Sequence, residues 1–164
     1  MNMNIPLEKV DQHIDWTQCK IAIDHSRIRA FPRKKEIWWA SLGINVGVEI
    51  NGKHRTFERP VLVIKAFNAD SFLVVPISSK IKDNEYLYKF HNDLGEENVA
   101  VLSQMRTISD KRFIRKSQVM NSKDFDQIIS KVSGFLEKTE TPSSGVSSEL
   151  PDGEPNKLIV AVEK

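Results

Sequence analysis

The chain is poor in the residues that specialised chemistry uses. Of 164 residues only Cys19 is a cysteine, so no internal disulfide can form. The four histidines (His13, His25, His54, His91) are scattered, with no His-x-x-x-His and no Cys-x-x-Cys, and no metal site is expected. No apolar run approaches the roughly 20 residues that span a bilayer, and no basic region leads into an apolar one at the N-terminus. A cytoplasmic protein without a membrane partner is therefore expected. Gly-rich phosphate loops and nucleophile elbows are missing as well, and no cofactor is called for.

What the chain does have is unevenly distributed charge. The net value is only +2, but residues 27–138 carry 20 Lys and Arg against 13 Asp and Glu, while the remainder is acidic. A basic body between acidic ends suits an anionic partner such as RNA. Apolar residues at 40% and charged residues at 28% are ordinary for a globular domain, and the length allows one real core.

Residues 7–24 place Leu7, Val10, Ile14, Trp16, Ile21 and Ile23 among polar residues at a loose helical period with early acids, which predicts one helix. Residues 27–35 form a basic linker containing Pro32. Residues 36–42 are aromatic and β-prone, and 43–52 hold three glycines and two asparagines, predicting a strand followed by an irregular loop. Residues 60–67 and 71–77 are apolar runs around Asn68-Ala69-Asp70, the pattern of a central hairpin, with Pro60 acceptable only as a first strand residue. Further strands are expected at 86–90, 99–105 and 113–119. Phe125, Ile128, Ile129, Val132, Phe135 and Leu136 then define an amphipathic helix. Five or six closely spaced strands with flanking helices indicate a mainly β (α+β) fold, a small barrel. The expected division is a helical extension over 1–32, a barrel domain over 33–138 and an acidic tail over 139–164. Of that tail, 139–156 is expected to be disordered and 158–162 to dock as an added strand.

The chemistry-bearing candidates gather at strand ends: Arg59, the Ser78-Ser79 pair, Glu49, and the basic block Arg106, Lys111, Arg112, Arg115 and Lys116. Cleaving RNA without a metal needs a group to take the 2′-hydroxyl proton, donors for the phosphoryl oxygens and an acid for the leaving oxygen. Arginine and serine supply donors, although arginine, with a pKa above about 12, is a reluctant base. Each has a plainer reading. Arg59 beside Glu58 suits a solvated ion pair, two serines suit a turn, and Glu49 suits an exposed loop. Of Trp38 and Trp39, alternation sends one to the core and leaves the other able to stack on bases. His54 and His91 sit in polar loops, where a histidine needs no catalytic explanation.

Taken in order, Glu36-Ile-Trp-Trp-Ala-Ser-Leu-Gly, Asn45-Val-Gly-Val-Glu49, Arg59-Pro-Val-Leu-Val-Ile, Val75-Pro-Ile-Ser-Ser-Lys80 and Leu102-Ser-Gln-Met-Arg-Thr-Ile-Ser-Asp-Lys-Arg112 resemble the MazF/PemK family over residues 33–138. The resemblance implies an SH3-like barrel that forms a homodimer and acts as the toxin of a bacterial type II toxin-antitoxin pair. It implies a metal-independent, sequence-specific endoribonuclease that acts on single-stranded RNA and leaves a 2′,3′-cyclic phosphate and a 5′-hydroxyl. A cognate antitoxin would neutralise it, and operator DNA would be reached only through the antitoxin complex.

Carried over by position, Arg59 matches the catalytic arginine, Ser78 stands where the family usually has a threonine that donates to the phosphate, and Glu49 matches an acidic loop residue near the active site. Ser79, Lys80, Lys53, His54, Arg55 and Arg106 are the expected RNA contacts. Serine keeps the hydroxyl but loses the methyl that restrains its rotamer. The 53–58 segment lengthens the loop before Arg59. A non-catalytic module that binds nucleic acid or antitoxin and represses its operon is the alternative from a different class. An adaptor for proline-rich peptides lacks the surface aromatics and acidic loop it would need. For the acidic tail the plainer reading is an idle extension, and the alternative is an autoinhibitory segment that folds back on the basic body where an antitoxin's acidic segment would lie.

Overall fold

The computed structural model describes residues 5–80 and 84–137, so the tail beyond 137, with its expected disorder, added strand and autoinhibitory contact, lies outside the described residues. Nine principal elements follow one another: α1 (Leu7–His25), β1 (Glu36–Ser41), β2 (Glu58–Ala66), β3 (Ser71–Ser78), β4 (Leu87–His91), β5 (Glu97–Val101), β6 (Arg106–Ser109), β7 (Phe113–Val119) and α2 (Ser122–Glu137). The seven strands pair in the order β4-β5-β3-β2-β1-β7, with β6 also on β3, and every pairing is antiparallel. This is the expected mainly β class with flanking helices. The sheet bends but its ladder stays open between β4 and β7, where the backbone N–H of Asp93 donates to the side chain of Gln118 across the gap.

Alternation along the central strands gives the sheet two buried faces. On one, Ile37, Leu62, Val75, Ile77, Phe90 and Ala100 pack beneath Phe125 and Ile128 of α2. On the other, Val61, Val63, Phe72, Val74, Ile108 and Phe113 pack together with Trp38 and Ala30 against them. Asn121 starts α2: its side chain accepts from the Asp124 N–H at 2.9 Å and donates back to the Asp124 carboxylate at 2.6 Å. β2 is central, and Pro60 is its third residue, not its first. At that point the strand is paired with β1 alone, since the β3 ladder begins at Val61, so the missing N–H leaves no β3 partner unmatched.

Two further expectations change. Residues 99–105 do not form one strand, because β5 ends at Val101 and a single 3-10 turn, Leu102–Gln104, redirects the chain into β6. Helix α1 turns Trp16, Cys19 and Ile23 towards the body and leaves Leu7, Val10, Ile14 and Ile21 exposed, so its loose apolar period divides between an inward and an outward face. The large aromatic anchor outweighs the aliphatic stripe. Neither Trp38 nor Trp39 is fully buried.

Asp110, only 2% exposed, ties β6 to the segment after α1 by accepting from Arg29 Nε at 2.6 Å and from the Ser109 hydroxyl at 2.9 Å. Burial alone would raise its pKa, but these donors hold it below the ordinary 3.8. A depressed folded-state pKa means that the carboxylate's contribution is complete above the unfolded value and is lost as pH falls through the folded one. Acid unfolding followed by circular dichroism should therefore steepen below about pH 4. Asp110→Asn should be less stable at pH 7 by about 1–3 kcal/mol and show a flatter acid limb.

Candidate active site

The site is built by the loop between β1 and β2. Gly43, at φ +86°, starts it, and a Cβ there would lie 2.2 Å from the Trp16 ring, so this position needs glycine on both counts. Gly52 has no room either, with a Cβ falling 1.7 Å from the Phe57 carbonyl oxygen. That oxygen accepts from the N–H groups of Leu42 and Gly43, and Lys53 and Glu58 exchange two backbone bonds of 2.9 Å, which closes residues 53–58 into a tight turn. The turn holds His54 and Phe57 in the left-handed region. Trp16 meets Phe57 edge-on at 5.4 Å, and Arg112 stacks on Trp16.

The other half of the loop is fastened by Gln104. Its amide accepts from the Ile50 N–H at 2.9 Å and donates to the Val48 carbonyl at 3.0 Å. The Asn45 side chain donates to the Ile50 carbonyl, and the Asn45 backbone N–H donates to the Asn51 side-chain oxygen. The loop so fixed presents the Asn51 carbonyl to Arg59 Nε at 2.7 Å. A second, longer bond runs from Arg59 Nη1 to the Ile77 carbonyl at 3.4 Å. The guanidinium is thereby oriented by two carbonyls with no carboxylate on it among the described residues, and its remaining N–H groups face the cavity side chains without a charged partner there. Burial pushes its pKa below the ordinary arginine value.

The β2–β3 ladder pairs Val61 with Pro76, and continuing that register sets Arg59 opposite Ser78. The Ser78 hydroxyl accepts from the Lys80 N–H at 3.1 Å, which leaves its proton to donate elsewhere. Both residues line an open cavity of about 300 Å³ together with Lys53, His54, Ser79 and Trp39. The cavity floor is the outer end of the first core face, through Ile37, Pro60, Ile77 and Phe90. Its far wall comes from the β4–β5 turn and β7, through Asn92, Glu96, Asn98, Ser117 and Gln118.

Thus Arg59, Ser78, Ser79, Lys53 and His54 come together as the sequence suggested. The others do not. Glu49 is exposed in the loop and does not line this cavity. Arg55 faces a different hollow beside Gln12 and Asp15, Lys80 is exposed beyond the end of β3, and Arg106 lies with Lys20 and Arg112 in a cavity beneath α1. His91 is exposed in β4, away from the lining.

One part of the site, the far wall, was missed, and Glu58 pairs with Arg115 in place of the Arg59 expected for it. Glu58, buried, takes both Arg115 nitrogens at 2.8 Å, and this pairing pulls its pKa down against the effect of burial. Arg115 also lies 4.8 Å from the Trp39 ring and so fixes that ring at the cavity wall. The far wall was missed because it is 30 or more residues away in sequence and carries no motif.

The cavity sets a guanidinium and hydroxyl donors side by side at the ends of two antiparallel strands. A family model described as the PemK-like, MazF-like toxin of type II toxin-antitoxin systems matches residues 33–136. The chain belongs to this family. Among solved structures, MazF from Deinococcus radiodurans (Form-I) is 17% identical, with a TM-score of 0.53 over 65% of this chain and 97% of that one. The MazE-MazF structure (Form-II) from the same organism gives 14% identity and a TM-score of 0.52 over 67% and 99%. At these identities the likeness is one of fold. No curated protein matches the chain in sequence. Among the described residues no helix is long and apolar enough to cross a membrane.

Helix α1 precedes the matched region yet holds the loop that orients Arg59. Replacing Trp16 with Ala should loosen residues 43–58. Their amide protons should exchange at least tenfold faster in hydrogen exchange read by mass spectrometry, while those of β3 stay protected.

Proposed function

We propose that this toxin is an endoribonuclease whose reaction takes place in the Arg59–Ser78 cavity. The observation that carries it is a guanidinium held by two carbonyls, without a carboxylate, beside a hydroxyl whose proton is free to donate. In an ion pair Arg59 would be spent; here its charge is reserved for a ligand.

In the reaction the 2′-oxygen attacks phosphorus, the bond to the 5′-oxygen breaks, and the proton of the 2′-hydroxyl is matched by one delivered to the leaving oxygen. The products are a 2′,3′-cyclic phosphate and a 5′-hydroxyl, with no water consumed. Arg59 neutralises the phosphoryl oxygens as charge builds, and Ser78 donates a hydrogen bond to one of them. Burial moves the Arg59 pKa in the direction that proton transfer requires. His54 lines the same cavity and is a second candidate to pass a proton between the two oxygens. Glu58 is a poor base, since Arg115 holds both its oxygens. Lys53 and Ser79 lie where they can meet the neighbouring phosphates. Glu49, Lys80, Arg55 and Arg106, outside the cavity, belong to this reading only as contacts of a longer RNA.

The active species is a homodimer, inhibited by a cognate antitoxin and reaching operator DNA only with it. The family membership supports that partnership.

The test is incubation of the full chain with a long single-stranded RNA in EDTA. Discrete fragments should form, and Arg59→Ala should slow their appearance by at least a hundredfold. Ser78→Ala should slow it about tenfold or more, and Ser78→Thr should retain or exceed the original rate. Intact RNA with retained binding would point instead to a non-catalytic module.

A further inference from the structure

The cavity beside Arg59 is larger than a phosphate needs, and its far wall is polar in a fixed sense. About 300 Å³ is room for a single nucleotide. Phe90, Asn92, Glu96 and Asn98 share one face of the β4–β5 ribbon, because Phe90 pairs with Asn98 and Asn92 bonds to Glu96. Gln118 faces them from β7 across the open gap in the sheet, where it meets Asp93. Trp39 lines the same cavity and supplies a flat apolar face to it.

The hydrogen-bond sense of each wall group is set by the bonds it already makes. The Gln118 Oε1 accepts from the Asp93 N–H, which only an oxygen can do, so the Gln118 amide offers its NH₂ as a donor. Asn98 donates its Nδ2 to the Glu96 carbonyl, so its Oδ1 is left as an acceptor. Glu96 receives the Asn92 amide on Oε2, so Oε1 is left as a second, charged acceptor. The Asn92 oxygen is committed, since it accepts from the Leu94 and Glu96 N–H groups. Glu96 and Asn98 therefore offer two uncommitted acceptors beside the Gln118 donor, while Asn92 and Asn98 each keep one further amide hydrogen.

Guanine is the base whose pairing edge complements that set, with one acceptor, O6, and donors on N1 and N2. Cytosine offers one donor and two acceptors, uracil two acceptors around one donor, and adenine one of each. We infer that the Glu96–Asn98–Gln118 wall reads a guanine in the nucleotide adjoining the phosphate held by Arg59. This selection rests on the ribonuclease reading of the same cavity. Single-stranded RNA is the substrate form that frees such an edge. The negative charge on Glu96 strengthens its bond to the N1 and N2 hydrogens and disfavours bases that would turn an oxygen towards it.

Two isosteric changes reverse the sense of the wall without removing its existing contacts. In Glu96→Gln the oxygen can still accept from Asn92, while the second position becomes a donor. In Gln118→Glu the oxygen facing Asp93 stays, while the donor is lost. The experiment uses the full chain with short RNAs that carry a 2′-O-methyl group at one sugar to block cleavage. Guanosine, inosine or adenosine is placed in turn at the adjoining positions, and affinity is read by fluorescence anisotropy. The guanosine oligonucleotide should bind about tenfold more tightly than the inosine one, which lacks only the N2 amino group. Glu96→Gln should abolish that difference, whereas Gln118→Glu, which loses the donor to O6, should weaken guanosine and inosine alike relative to adenosine. Equal affinity for the three bases at every position, or a guanosine preference untouched in both variants, would overturn the assignment.

Unblocked oligonucleotides run in parallel separate the two readings. Guanosine-selective binding without cleavage would sink the ribonuclease and keep the base reader. Arg59-dependent cleavage with no guanosine dependence would do the reverse.

Discussion

The site depends on one bond, from Arg59 Nε to the carbonyl of Asn51. A guanidinium at a strand end has ample side-chain freedom, and a carbonyl at 2.7 Å removes much of it without cancelling the charge. A carboxylate would have oriented it as well but would have had to be displaced by the ligand. The choice of a neutral acceptor makes the loop that carries Asn51 part of the machinery. Everything that stiffens residues 43–58 therefore bears on the chemistry.

That stiffening is spread over the molecule. Gln104 ties the loop to the turn before β6, Trp16 covers Gly43 and Phe57, and Lys53 and Glu58 close the second half. Glu58 has a double role, since its carboxylate takes Arg115 while its backbone shapes the turn. Because Arg115 is satisfied there, its stacking on Trp39 fixes the cavity wall and adds no competing cation–anion pair to Arg59. The basic body inferred from composition is thus two populations: cations already paired, and cations such as Arg59 kept unpaired. Net charge alone could not separate them.

Much of the fold was legible because it rests on short-range pattern. The apolar runs of β2 and β3, the turn between them and the spacing of Phe125, Ile128 and Val132 are consequences of local period, and each became the expected element. Pro60 and residues 99–105 were misjudged for a reason of context. Whether a strand tolerates proline depends on which neighbour is present at that residue, and whether an apolar run bends depends on what it must reach. Helix α1 was found but the division of its apolar residues between two faces was not, since one tryptophan docked on a glycine outweighs several aliphatic side chains. At the site, Arg59 and Ser78 were readable because β-hairpin register brings strand ends together. Glu49 was placed by position in a motif, and loop position does not fix where a side chain lies. The wall of Asn92, Glu96, Asn98 and Gln118 left no trace in sequence, because it exists only where the two edges of a bent sheet meet.

The account stands on Arg59 stabilising attack by the neighbouring 2′-oxygen, and that route fixes the chemistry of both new ends. The most direct measurement is mass spectrometry of the fragments released from a defined single-stranded RNA by the purified full chain. A 2′,3′-cyclic phosphate on every upstream fragment and a 5′-hydroxyl on every downstream one is the predicted result. A 5′-phosphate on the downstream fragments would mean that water, not the 2′-oxygen, had attacked, and would contradict it.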